Sequence, residues 1–133
     1  MTYGIRDKSG GIKLIVEGLF VHESLFFFKI KIENGTNINY DISQLRLFIK
    51  DQKKAKRTAS QENEIVQLYV HNPTSLIRGN IEGTVVIAVP KFTIPDKKEM
   101  ILQVMEKNGG RNLEVRVRHK AILKAVPLNS LGL

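Results

Sequence analysis

The chain contains no cysteine. That removes disulfides, thiolate zinc sites, iron–sulfur clusters and a cysteine nucleophile together. Long apolar runs are missing as well. The longest are broken by Lys29, Lys31 and Glu33, well short of the ~20 residues a bilayer-spanning helix needs. The opening Met1-Thr2-Tyr3-Gly4-Ile5-Arg6-Asp7 has no apolar core and no cleavage site, so it does not read as a signal peptide. No stretch keeps a 3.6-residue apolar period over three turns; Ile101, Leu102 and Val104 do not share one helical stripe. No glycine-rich loop precedes a helix, which excludes a P-loop and a dinucleotide fingerprint.

Catalytic constellations are equally scarce. His22, His71 and His119 sit in or beside turns with no ligand spacing among them. The carboxylates are scattered, apart from Glu62 and Glu64, which share one side of an extended chain and read as balance for nearby cations. Ser60 has no histidine or lysine at a telling distance. The expectation is a protein that is not an enzyme, with no catalytic residues, no cofactor and no metal site.

What is present is strand pattern. From Leu25 to Glu33 the residues Phe26, Phe28, Ile30 and Ile32 fall on one face, and Phe27, Lys29, Lys31 and Glu33 on the other. That period of two marks a half-buried strand. Further strands are expected over 12–21, 44–50, 65–70, 84–89, 99–106 and 112–118, with an edge strand over 121–126. The segment 71–83 reads as a long loop, and 90–98, with two prolines, as an edge or corner. Lys107-Asn108-Gly109-Gly110 reads as a hairpin turn. The expected fold is all-β: a single-domain antiparallel β-sandwich, Ig-like or secretion-core-like, with about seven to eight strands. Residues 1–11 form a lead-in, 12–126 the sandwich and 127–133 a tail. At 133 residues, such a domain buries roughly 68% of the surface its unfolded chain exposes, enough for a core of its own.

The formal net charge of +8 favours an anionic partner. Arg116, Arg118, Lys120 and Lys124 form one cluster. Lys53, Lys54, Lys56 and Arg57 form the sharper one, between two apolar strands. Three readings of that run stand side by side. It is a solvated tip that blunts an edge, or a phosphate-contacting loop with Tyr40, Phe48 or Tyr69 for stacking. Alternatively it is an ordered loop, held by Thr58, Ser60 and Gln61, that docks on a partner or on its own sheet.

Several segments resemble a known family. They are Asn37-Ile38-Asn39-Tyr40-Asp41-Ile42, Phe48-Ile49-Lys50-Asp51 and Lys53-Lys54-Ala55-Lys56-Arg57-Thr58-Ala59-Ser60-Gln61-Glu62. Lys91-Phe92-Thr93-Ile94-Pro95-Asp96-Lys97-Lys98, Glu106-Lys107-Asn108-Gly109-Gly110-Arg111 and the lead-in Tyr3-Gly4-Ile5-Arg6-Asp7-Lys8 belong with them. Together they resemble the C-terminal domain of TraN proteins from Bacteroides-type conjugative transposons. That family is similar to the β-rich outer-membrane-core subunit of type IV secretion systems.

The resemblance implies an architectural role in conjugative transfer. The partners it implies are other subunits of the complex, a small lipoprotein and further copies of the chain in a ring. Its implied place is the periplasm at the outer membrane, as part of a longer exported protein. With the resemblance included, Lys53, Lys54, Lys56, Arg57, Thr58 and Gln61 are the expected partner-binding residues. A basic nucleic-acid-binding domain that contacts transferring DNA is the alternative.

Overall fold

The computed structural model of the protein describes residues 5–52 and 61–128. Over them run eleven strands and one short helix: β1 (Arg6–Ser9), β2 (Ile12–His22), β3 (Leu25–Asn34), β4 (Tyr40–Asp51), β5 (Asn63–Glu64), β6 (Tyr69–His71), β7 (Leu76–Ile77), β8 (Glu82–Pro90), β9 (Lys98–Glu106), β10 (Leu113–Arg118), α1 (His119–Leu123) and β11 (Val126–Pro127). Seven strands have four residues or more, and these carry the two packed sheets of a β-sandwich, as the alternation predicts. The first sheet runs β1-β2-β3-β8-β6, with β11 beside β2; the second runs β10-β9-β4-β5, with β7 beside β4. All pairings are antiparallel except β11 with β2.

Alternation in the sequence builds the core. Phe26, Phe28, Ile30 and Ile32 of β3 face Leu47 of β4, Met100, Leu102 and Val104 of β9 and Leu113, Val115 and Val117 of β10 in one apolar cluster. Each such fully buried side chain contributes about 1.5–3 kcal/mol. Two strands keep their faces only through bulges. In β2 the register shifts between Val16 and Gly18, so the inward set changes from Ile12, Leu14 and Val16 to Leu19. In β4 it shifts between Ile42 and Gln44, so Tyr40 and then Leu47 both reach the core. One inserted residue reverses the alternation, and the sheet face stays continuous.

Four segments differ from the sequence expectation. The polar lead-in contains β1, joined to β2 by a two-residue turn. Gly10 (φ 53°) and Gly11 (φ 79°) supply its left-handed backbone. The strand expected over 65–70 is instead a crossing between sheets. Its start, at β5, pairs with β4 and its end, at β6, pairs with β8, while the Ile65 N–H donates to Leu47 O and the Leu68 N–H to Ala88 O. The expected loop 71–83 contains β7. The expected edge strand over 121–126 holds only at Val126, in β11; its first half is the end of α1, which carries the chain from the second sheet back to β11 on the first.

The corner at 90–98 holds. Phe92 meets Phe26 edge-on at 5.3 Å, and His119 Nδ1 lies 3.0 Å from Ile94 O.

Candidate functional site

Five of the expected partner-binding residues, Lys53, Lys54, Lys56, Arg57 and Thr58, lie outside the described residues; Gln61 lies within them and is exposed. The run leaves the end of β4, which is tied down. The Gln52 N–H donates to Lys97 O at 2.9 Å, and its side-chain amide donates to Asp96 O at 2.9 Å and Lys98 O at 3.1 Å. The chain returns at Glu62 and Glu64. Among the described residues, both carboxylates pair with Arg46 of β4.

Arg46 belongs to the outer face of the second sheet. Register sets its rows: Arg46 beside Gln103 and Glu114, Phe48 beside Ile101 and Arg116, Lys50 beside Glu99 and Arg118. The Arg46 guanidinium donates to Glu64, Glu62 and Gln103 and lies 4.5 Å from the Phe48 ring centroid. The Glu64 bond first, then the Glu62 bond, raises its pKa. Phe48 and Ile101 are buried on this outward face.

Glu99 is the anomaly. Its side chain is 0% exposed, and neither carboxylate oxygen has a hydrogen-bond partner. Arg116 Nη1 and Arg118 Nε each stand 3.6 Å from it, ion-pair range but beyond a good hydrogen bond. A buried carboxylate is costly unless it is compensated, and these two guanidiniums provide the compensation from the surface side. They line a cleft of about 620 Å³ with Gln52, Asp96, His119 and Lys120. Lys124 lines it too, so the C-terminal basic cluster seen in the sequence comes together in space.

On the opposite side of the sandwich apolar side chains are exposed. The crossing segment exposes Val66 (65%), Leu68 (56%) and Tyr69 (60%) beside β6, the free edge of the first sheet. A groove of about 260 Å³ opens between β4 and β6, lined by apolar Ile42, Leu45, Val70 and Val85 and by polar Gln44 and Gln67 among others. This exposure has no local signature, because Ile65, Val66, Leu68 and Val70 look like an ordinary buried strand. Only the change of sheet turns part of the segment outward.

A third cluster is structural. The Arg111 guanidinium pairs with Glu106 at 2.7 Å and donates to Asn39 O at 2.9 Å and Thr36 Oγ1 at 3.3 Å. The Tyr40 hydroxyl donates to Arg111 O at 2.8 Å. Burial, then the Glu106 charge, pushes the Tyr40 hydroxyl up to about 12. The Arg111 hydrogen bond holds Glu106 below the usual carboxylate range. This network ties the β9–β10 hairpin to the β3–β4 loop. No group of three or more histidine, aspartate or glutamate side chains suited to a metal ion occurs among the described residues.

Residues 2–127 match the family described as Domain of unknown function (DUF4138). The chain belongs to that family. A comparison with curated proteins gives no match.

Proposed function

We propose that this DUF4138 domain is a protein–protein interaction module, a structural component of a conjugative transfer complex of the type IV secretion kind. The observation that carries the reading is the exposed apolar segment at Val66, Leu68 and Tyr69, set at the free edge of the first sheet. Exposed apolar side chains at a sheet edge favour association, through both burial and open backbone groups. The conjugation setting draws on the TraN resemblance carried by Lys53 to Glu62 and by Lys91 to Lys98. On this reading the domain works by surface complementarity without catalysis. It acts at the outer membrane as part of a longer exported protein, with other subunits, a small lipoprotein and copies of itself as partners. Lys53, Lys54, Lys56, Arg57, Thr58 and Gln61 form a second contact region.

The test is Val66→Asp with Leu68→Asp in the full-length protein, assayed for mating efficiency. Both positions are exposed, so the urea midpoint should stay at the wild-type value while transfer falls about tenfold or more, the scale of losing an apolar interface anchor. Wild-type transfer by a stably expressed variant would sink the reading. Contact with transferring DNA is the second reading, favoured by the gathering of Arg116, Arg118, Lys120 and Lys124 around one cleft. It requires single-stranded binding that weakens steeply as salt rises.

A further inference from the structure

We infer that the cleft beside β10 is a carboxylate-binding site for an acidic segment of a partner protein, with Arg116 and Arg118 as its anchors. The inference rests on the interaction-module reading and names the chemistry of one contact.

Three observations meet at this cleft. First, Arg116 and Arg118 are 52% and 63% exposed, while the carboxylate that attracts them is wholly buried. At 3.6 Å, Glu99 holds both guanidiniums by charge without saturating their N–H donors. Two planar forks, two residues apart on one strand face, therefore stand with donors directed to solvent. That arrangement suits bidentate recognition of a carboxylate. Lys120 and Gln52 extend the same lining.

Second, the β10 backbone already receives a carboxylate. The Glu114 N–H donates to Asp7 Oδ2 at 2.9 Å. That bond fixes the parity of the strand. Glu114 directs its N–H away from β9, so Arg116, two residues on, directs its N–H the same way. The opposite parity agrees, since the Glu106 N–H of β9 reaches across to Asn112 Oδ1. No backbone acceptor for the Arg116 N–H occurs at this edge among the described residues. An incoming acidic side chain would repeat there what Asp7 does one step earlier.

Third, the cleft is not uniformly cationic. Glu99 and Asp96 offset part of its charge. A tract that gathers a polyanion at long range gains from unopposed charge. A pair of forks biased by a buried carboxylate suits short-range recognition of individual carboxylates, so an acidic protein segment is favoured over nucleic acid.

The test uses fluorescence anisotropy with the 133-residue chain and a labelled probe peptide, acetyl-Glu-Val-Glu-Val-Glu-amide, at low salt. The control peptide carries Gln for each Glu. The acidic peptide should bind about tenfold or more tightly than the control, as expected for charge-assisted contacts. Glu99→Gln removes the internal competitor and should tighten binding about threefold or more. The triple variant Arg116→Gln, Arg118→Gln, Glu99→Gln leaves no buried charge unbalanced, so it should fold with wild-type circular dichroism and lose the binding.

Equal binding of the two peptides, or wild-type affinity in the folded triple variant, would overturn the inference. So would a 20-nucleotide single-stranded DNA that binds more tightly than the acidic peptide and displaces it. Peptide binding bears on the cleft alone, and transfer by the Val66 and Leu68 variant bears on the module reading alone, so the two fail separately.

Discussion

At the residue scale, the polar side chains that matter are the enclosed ones. Glu106 and Arg111 form an ion pair with side chains only 12% and 16% exposed, and Arg111 also serves two loop acceptors. Arg111→Met leaves an enclosed carboxylate without its partner. It should lower the unfolding free energy by about 3 kcal/mol, read by urea denaturation at pH 7. The sign with pH follows from the depressed Glu106 pKa, caused first by the Arg111 side-chain bond. A carboxylate depressed in the folded state contributes stability that is fully present above its ordinary value of 4.5. That contribution is lost as pH falls through the lower folded value. Wild type should therefore lose stability more steeply below pH 4.5 than Arg111→Met does. Parallel acid profiles would remove the ionic explanation.

At the scale of elements, the joints decide more than the long strands. Asn34, at the end of β3, donates to Ile38 O at 2.8 Å and Ile77 O at 3.0 Å. It also accepts from the Thr36 N–H at 3.0 Å and the Thr36 hydroxyl at 2.7 Å. One buried amide thus joins β3, its following loop and β7. Gly79 completes the joint by close approach, since a side-chain carbon there would stand 2.8 Å from Thr36 O. Asn34→Leu strands the Ile77 carbonyl and the Thr36 N–H, while Ile38 O keeps the Thr36 hydroxyl; it should cost about 2 kcal/mol and speed hydrogen exchange over residues 74–80 selectively. Uniformly unchanged exchange would show that β7 is held by something else.

The same joints set how much of the fold the sequence reveals. β3 and β10 alternate buried and outward residues without a bulge, so period two gives them away, whereas β9 is buried on both faces over Glu99 to Leu102 and shows no clean alternation. β1 is a polar edge strand and has no apolar alternation to read. The crossing at 65–68 has the apolar content of a strand, because its residues still pack inward in part. Nothing local records that its hydrogen bonds go to two sheets. α1, five residues long, is set by where the chain must go next and shows no stripe. Of the candidate site, the C-terminal cations were visible as a cluster. Glu99 is hidden near the start of a strand, since its position opposite Arg118 and diagonal to Arg116 is a matter of register.

At the scale of the molecule, the two sheets close differently on their two sides. On one side β1 and β10 meet, with Asp7 and Glu114 at the joint and the basic cleft beside them. On the other, the sheets are bridged by the crossing segment, with its apolar residues exposed. The outer face of the first sheet is balanced locally, Lys31 lying within 3.3–3.9 Å of Glu33, Glu17 and Glu82. Charge and apolar exposure thus occupy separate surfaces, which suits a module with more than one neighbour. The most direct test of that reading is affinity isolation of the tagged full-length protein from envelopes of cells carrying the conjugative element, with bound proteins identified by mass spectrometry. Other subunits of the transfer complex should co-purify with the wild type and be depleted with the Val66→Asp, Leu68→Asp variant. Recovery of the protein without any of those subunits, or their equal recovery with both forms, would contradict it.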